Sequence, residues 1–259
     1  MKQLFYKYQG TGNDFVMIDN RSGVFDKSNR PLIAHFCNRR TGVGADGLIL
    51  LESEPGYDFK MVYFNADGNE STMCSNGGRC IVAFANFLKL IDNKASFLAI
   101  DGPHLARIDQ GYVELKMQDV STLTSTDHYH VLDTGSPHYV ALKPGLETID
   151  MNVEGAKIRY SKPFNNSGIN INFAEKIDDT TFAIRTYERG VEAETLSCGT
   201  GATAVAIAMF HSNQTASKSI NLNTQGGRLQ VRFEPLSSSY TEVWLCGPTQ
   251  QVFKAELEW

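Results

Sequence analysis

The sequence predicts a mixed α/β (α+β) chain of two pseudo-symmetric domains, each a mostly antiparallel, barrel-like sheet wrapped around one central buried helix. Three observations predict it. Two nearly unbroken apolar runs, Ile81–Leu88 and Ala202–Phe210, lack a polar stripe, as expected of a helix buried on every side. Each run follows a turn of small residues that holds a cysteine, Cys74 before the first and Cys198 before the second. Upstream, Thr11-Gly12-Asn13-Asp14-Phe15-Val16 is echoed by Thr134-Gly135-Ser136-Pro137-His138-Tyr139-Val140, and Gly12 precedes Cys74 by 62 residues where Gly135 precedes Cys198 by 63. Matched features at matched spacing indicate a duplicated domain. A helix with no wet face needs sheet around it, so each copy is expected to supply seven or eight strands. The expected domains are residues 1–120 and 121–248, with 249–259 a candidate completion of the first.

The elements can be justified in order. From Leu4 to Asn20, β-rich runs flank the glycine turn Gln9-Gly10-Thr11-Gly12-Asn13-Asp14, giving strand, turn, strand. Ser28 to Arg40 reads as a helix: Leu32/Ile33 and Phe36/Cys37 recur four residues apart, Pro31 stands in the first turn and Gly42 follows the end. Leu48–Leu51 and Phe59–Phe64 read as buried strands, and after the first apolar helix come β-like runs at Phe97–Ile100, Leu105–Ile108 and Tyr112–Met117. The Ser/Thr-rich patch Ser121–Asp127 is the expected domain boundary. The second copy supplies Val131–Thr134, Tyr139–Leu142, Ile169–Phe173, Phe182–Tyr187, Ile220–Asn223, Leu229–Phe233 and Val243–Cys246, while Ile149–Tyr160 fits helix or strand equally.

Composition narrows the function. With 259 residues, 42% hydrophobic and 20% charged, the chain can bury a real core. A net charge of −5 without a basic cluster argues against nucleic acid as a partner. No apolar stretch approaches the roughly 20 residues that span a bilayer, and the first residues lack the apolar core of a secretory signal. Five cysteines, an odd number spread over the chain, suit reduced thiols in the cytoplasm. Cys37, Cys80 and Cys246 read as small buried hydrophobes. Zinc is disfavoured, because Cys74 and Cys80 lack ligand spacing and no nearby His completes a set. Two literal matches to a dinucleotide fingerprint fail on context: Gly42–Gly47 precedes a strand, and Gly199–Ala204 has Asn221-Leu222-Asn223 where a ribose-binding acid belongs.

The two cysteine turns carry the chemistry. Glycines before a helix let backbone approach a ligand, and the first N–H groups of the helix form an anion site. A thiol placed there has its thiolate stabilised, from a pKa of about 8.5 towards roughly 3.5–7.5. If the repeats face each other across a pseudo-two-fold axis, Cys74 and Cys198 converge on one cleft. Inverting a carbon stereocentre needs a base on one face and an acid on the other, and two thiols in opposite protonation states supply both. The expectation is a metal-free, cofactor-free racemase or epimerase.

The motifs GTGNDF at 10–15, FNADG at 64–68, MCSNGGRC at 73–80, GSPH at 135–138, NINF at 170–173 and YERGVEAETLSCGTGA at 187–202 together resemble the diaminopimelate epimerase family, in its order and over most of the chain. The resemblance implies interconversion of L,L- and meso-2,6-diaminopimelate without pyridoxal phosphate, for lysine and peptidoglycan precursor synthesis, by a cytoplasmic homodimer. By position it implies that Cys74 and Cys198 are the catalytic thiols, assisted by His138 and Glu188. Ser75, Asn76, Gly199 and Thr200 then bind the reacting carboxylate and amine, and Asn13, Asn65, Asn170, Glu188 and Arg189 contact substrate. The Arg189 guanidinium is suited to bidentate capture of the distal carboxylate. The chain departs from the family at Ser75, where Gly is common, at Ser136, where Asn is frequent, and at Gly47, where some members carry a substrate-contacting Gln; the Arg-to-Thr loop is also one residue longer. A racemase of proline or hydroxyproline, or a non-catalytic amino-acid-binding protein on the same scaffold, are the alternatives.

Overall fold

The computed structural model describes residues 2–237 and 239–258. The chain divides into two compact units, residues 1–115 joined by 247–259, and residues 116–246.

In the first unit the strands are β1 (Lys2–Gly10), β2 (Asn13–Asp19), β3 (Gly47–Glu52), β4 (Phe59–Asn65), β5 (Lys94–Ala99), β6 (Gly102–Asp109) and β7 (Tyr112–Lys116), with β17 (Gln250–Glu258) added from the end of the chain. β17 pairs with β1, and β1 with β2, antiparallel; β2–β3 and β4–β5 are parallel; β3–β4, β5–β6 and β6–β7 are antiparallel. A parallel pair needs a crossover. Helix α1 (Arg30–Cys37) supplies it between β2 and β3, and α2 (Ser75–Phe87) between β4 and β5. Side chains alternate across a strand, so the sheet has two apolar faces. Val16, Ile18, Leu48, Leu50, Val62 and Phe64 pack with Ile33 and Phe36 of α1. Phe15, Ile49 and Met61 lie against Gly77 of α2. Helix α1 is shorter than the sequence predicts because Asn29 caps it, accepting from the Leu32 N–H at 3.1 Å, and Asn38 is already extended.

The second unit repeats this plan. Its strands are β8 (Leu123–Ser125), β9 (His130–Asp133), β10 (Pro137–Leu142), β11 (Asn170–Lys176), β12 (Thr181–Glu188), β13 (Ala193–Thr195), β14 (Ser219–Thr224), β15 (Gly227–Pro235) and β16 (Tyr240–Pro248). β8–β9 and β9–β10 are antiparallel, β10–β11 parallel, β11–β12 antiparallel, β12–β14 parallel, β14–β15 and β15–β16 antiparallel. That is the first unit's order of pairings, with the short β13 added beside β12. Helix α3 (Met151–Arg159) is the counterpart of α1, and α4 (Gly199–His211) that of α2. The ambiguous stretch Ile149–Tyr160 is thus helical: Asp150 accepts from the N–H groups of Asn152 and Val153, and Gly155 admits the Tyr187 side chain, whose Cβ lies 2.5 Å from where a Cβ at 155 would stand. Both inner helices are almost wholly buried, Ala202 to Met209 without a break in α4.

Candidate active site

Each inner helix begins at a cysteine. Cys74 is the N-cap of α2 and Cys198 that of α4, both with extended backbone and neither capping its helix through the side chain. The early N–H groups of a helix have no intrahelical acceptor, and here no cap side chain takes them, which leaves Ser75, Asn76 and Gly77 in one unit and Gly199, Thr200 and Gly201 in the other aligned as anion-directed donors.

In the first unit, the Cys74 thiol faces Oδ1 of Asn13 at 3.5 Å, and Asn76 Nδ2 donates to the same oxygen at 3.3 Å. Asn13 is held from the other side, its Nδ2 donating to Asp46 Oδ2 at 2.6 Å. Beneath lies Arg79, fully buried, donating to Asn76 Oδ1 at 3.0 Å, Thr11 Oγ1 at 3.2 Å and the Ser75 carbonyl at 3.3 Å. Ser75 and Asn76 are buried, Cys74 is partly exposed, and Asn65 stands exposed at the end of β4, opposite Gly47 in the ladder.

In the second unit, Cys198 is 7% exposed and its Sγ lies 3.4 Å from Thr200 Oγ1. Thr134 Oγ1 donates to the Thr200 carbonyl at 2.8 Å, tying the glycine turn of the repeat to the first turn of α4. Asn170 Nδ2 donates to Ser136 Oγ at 2.8 Å and to the Pro137 carbonyl at 3.1 Å, while its Oδ1 accepts from the Arg189 N–H at 2.8 Å. The Arg189 guanidinium reaches the Ser167 carbonyl at 3.1 Å and Ser136 Oγ at 3.4 Å. It passes over Gly168, where a Cβ would meet its Cδ at 2.6 Å and where φ is +70°. Glu188 Oε2 accepts from Thr195 Oγ1 at 3.0 Å. His138 is fully buried, and burial first, the Arg189 charge second, push its pKa down to about 3. The imidazole is therefore neutral at physiological pH.

The structure thus places Cys74, Ser75, Asn76 and Asn13 in one cluster, and Cys198, Gly199, Thr200, His138, Asn170, Glu188 and Arg189 on the second unit around the start of α4 and the adjoining strand ends. Residues that sequence reasoning did not single out support both: Asp46, Thr11 and Arg79 around the first thiol, and Thr134, Asn172 and Thr186 around the second. Asn172 was within reach, since it stands two residues after Asn170 and so shares its face of the strand. The thiols assigned to the core behave as such: burial pushes Cys37 and Cys80 up to about 12. Among the described residues no group of three or more His, Cys, Asp or Glu could hold a metal ion, and no helix is long and apolar enough to cross a membrane.

Comparison with known proteins agrees in family and in fold. The sequence model for diaminopimelate epimerase matches residues 5–121 and 130–244. The chain is 54% identical to the diaminopimelate epimerase of Flavobacterium psychrophilum over 253 residues, 97% of this chain and 99% of that one. It is 38% identical to that of Chlorobaculum tepidum over 257 residues, 96% and 98% of the two chains. Among solved structures, a PhzF-family phenazine biosynthesis protein of Bacillus anthracis superposes with a TM-score of 0.76, covering 100% of both chains at 13% identity, a likeness of fold alone.

Proposed function

The chain belongs to the diaminopimelate epimerase family and is an isomerase, and we propose that it interconverts L,L- and meso-2,6-diaminopimelate by two-base chemistry on Cys74 and Cys198, in a cytoplasmic homodimer serving lysine and peptidoglycan precursor synthesis. One observation carries the reading: each repeat starts its buried helix with a cysteine whose own side chain leaves the helix N–H groups to another acceptor.

The reaction follows from that placement. A thiolate takes the α-proton, and the C–H electron pair moves into the α-carboxylate. The helix N–H groups at Ser75-Asn76 and Gly199-Thr200 stabilise this charge as it develops. The other thiol gives its proton to the opposite face of the carbon, so one turnover exchanges the thiol and thiolate between the two cysteines. No cofactor enters this scheme. Asn13, by accepting at Cys74, holds that thiol in place, and Thr200 does so for Cys198. Glu188 and neutral His138 assist on the second side. Asn65, Asn170 and Arg189 read the distal end of the substrate. The Ser136–Asn170–Arg189 group supports diaminopimelate over proline, which has no distal carboxylate for Arg189 to hold.

The test is incubation of the purified, reduced protein with L,L-diaminopimelate in deuterated water, with no cofactor added. Meso product carrying α-deuterium is expected. No exchange from folded protein, or exchange on proline instead, would overturn the assignment. Cys74→Ala and Cys198→Ala are each expected to lose at least about 10²-fold in epimerisation rate while retaining the fold; wild-type turnover in either variant would remove that thiol from the chemistry and overturn the two-thiol mechanism.

A further inference from the structure

Beneath the first turn of α4 lies a polar ladder that the duplicated core does not require. Asn172 of β11 pairs with Thr186 of β12, and its side chain reaches His138 of β10, which stands opposite Asn170 in the ladder. At the matching positions of the first unit the chain places Ile49 opposite Tyr63, with Phe15 on the neighbouring strand. There Ile49 and Phe15 simply pack against Gly77, at 2.9 and 3.5 Å from the position of its absent Cβ. In the second unit the equivalent glycine, Gly201, brings its absent Cβ to 2.4 Å from Asn172 Oδ1 and 3.4 Å from Cys198 Sγ. The Asn172 amide and the Cys198 thiol therefore border the same point on the first turn of α4.

The orientation of this amide is fixed. The Tyr139 carbonyl, which can only accept, takes a hydrogen bond from Asn172 Nδ2 at 2.9 Å, and Thr186 Oγ1 donates to Asn172 Oδ1 at 2.9 Å. The other hydrogen on Nδ2 points to His138 Nδ1 at 3.0 Å. A ring nitrogen facing a donor must accept, so the neutral imidazole carries its proton on Nε2. That Nε2 is buried with no hydrogen-bond partner, a destabilising arrangement if the N–H is never used. Building on the epimerase reading, we propose that Asn172 is a positioning residue that holds His138 as the Nε2–H tautomer, so that His138 serves the reaction as a neutral hydrogen-bond donor and does not take the thiol proton.

The test reads the tautomer directly. In the full-length protein labelled with ¹⁵N-histidine, His138 is expected to show a bare Nδ1 and a protonated Nε2 between pH 6 and 8. Asn172→Asp sets a carboxylate against Nδ1, which draws the proton there; Nε2 becomes bare, and kcat falls on the order of 10²-fold while KM moves less than about threefold. Thr186→Val removes another bond of the same ladder but leaves the Tyr139 carbonyl to orient the amide. It lowers the melting temperature without moving the tautomer. A wild-type His138 protonated on Nδ1 overturns the proposal, as does Asn172→Asp with wild-type tautomer and kcat. If Asn172→Asp does not fold, the wild-type spectrum alone decides. The spectrum needs no turnover, so a protein with the stated tautomer and no epimerisation rejects the functional reading and leaves the tautomer lock standing.

Discussion

Gly201 shows how much a single missing Cβ decides in this chain. It follows Cys198 by three residues inside the first turn of α4, and a methyl group there would overlap Asn172 Oδ1 at 2.4 Å and crowd the Cys198 Cβ at 3.3 Å, with the thiol in contact at 3.4 Å. Gly201→Ala is expected to destabilise the protein by about 1–3 kcal/mol through overpacking, and to lower kcat by shifting Cys198, whereas Thr203, also buried, hydrogen-bonds back along its own helix at 3.0 Å. Denaturant unfolding and steady-state kinetics on the same sample check this; a variant with wild-type stability and rate would show that the turn has slack. The position of both thiols at helix starts is legible in the sequence because it needs only local pattern, small residues and a cysteine ahead of an apolar run. The role of Asn172 is not, although Asn170 two residues earlier stands out. What distinguishes them is the company each keeps across strands, Thr186 and Tyr139 for Asn172, and register is a tertiary fact.

At the level of elements, the first strands and the α1–β3 connection meet in an ion-pair group under Asn13. Asp14, at the start of β2, receives Arg39 through both carboxylate oxygens, at 2.6 and 3.1 Å, and Lys7 of β1 at 2.7 Å. Arg39 also reaches Asp46 at 2.7 Å, the carboxylate that holds Asn13. Burial by itself would raise the Asp14 pKa, but hydrogen bonds from Arg39 and Lys7 outweigh it and hold the carboxyl at about 2. A carboxyl depressed in the folded state stabilises the fold above its unfolded pKa, near 4, and loses that contribution as pH falls through 2. The expected worth, discounted for the exposed Arg39, is on the order of 1–2 kcal/mol above pH 4. Unfolding free energy measured from pH 5 to pH 2 should fall less steeply in Asp14→Asn than in the wild type; parallel curves would remove Asp14 from the acid response. Helices are legible at this scale when their pattern is strong, as in α1. Helix α3 was ambiguous because Gly155, needed to admit Tyr187, sits in its middle and lowers helix propensity, and its cap Asp150 counts equally as a turn residue.

For the whole molecule, duplication explains why one architecture appears twice: the same order of antiparallel and parallel pairings recurs, and each copy threads one crossover helix through its interior. The sequence offers residues 249–259 as a candidate completion of the first domain; the strand there is β17, and its pairing with β1 is a matter of register that no local pattern carries. Among the described residues, β17 alone covers the outer half of β1: the ladder with β2 begins at Tyr6, while Lys2, Gln3, Leu4 and Phe5 pair with Glu258, Leu257, Glu256 and Ala255. Phe5 is 3% exposed, with Ala255 and Leu257 packed on its cluster and Phe253 edge-on to its ring at 6.1 Å. Deleting residues 250–258 should therefore leave the backbone of Lys2–Phe5 without ladder partners and uncover the α1 side of that core, costing about 2–4 kcal/mol in lost apolar burial. The second unit keeps its own buried helix, the ladders of β10 to β12 and its own cluster around Tyr139, Ile171 and Phe173. Hydrogen exchange separates the two consequences, because amides report opening locally. Protection should vanish across Lys2–Phe5 and weaken through β2 and β3, while α4 and strands β10 to β12 exchange as slowly as before. An equal loss in both units would mean that the two copies fold as one cooperative body, and that the core of each depends on the other for its stability.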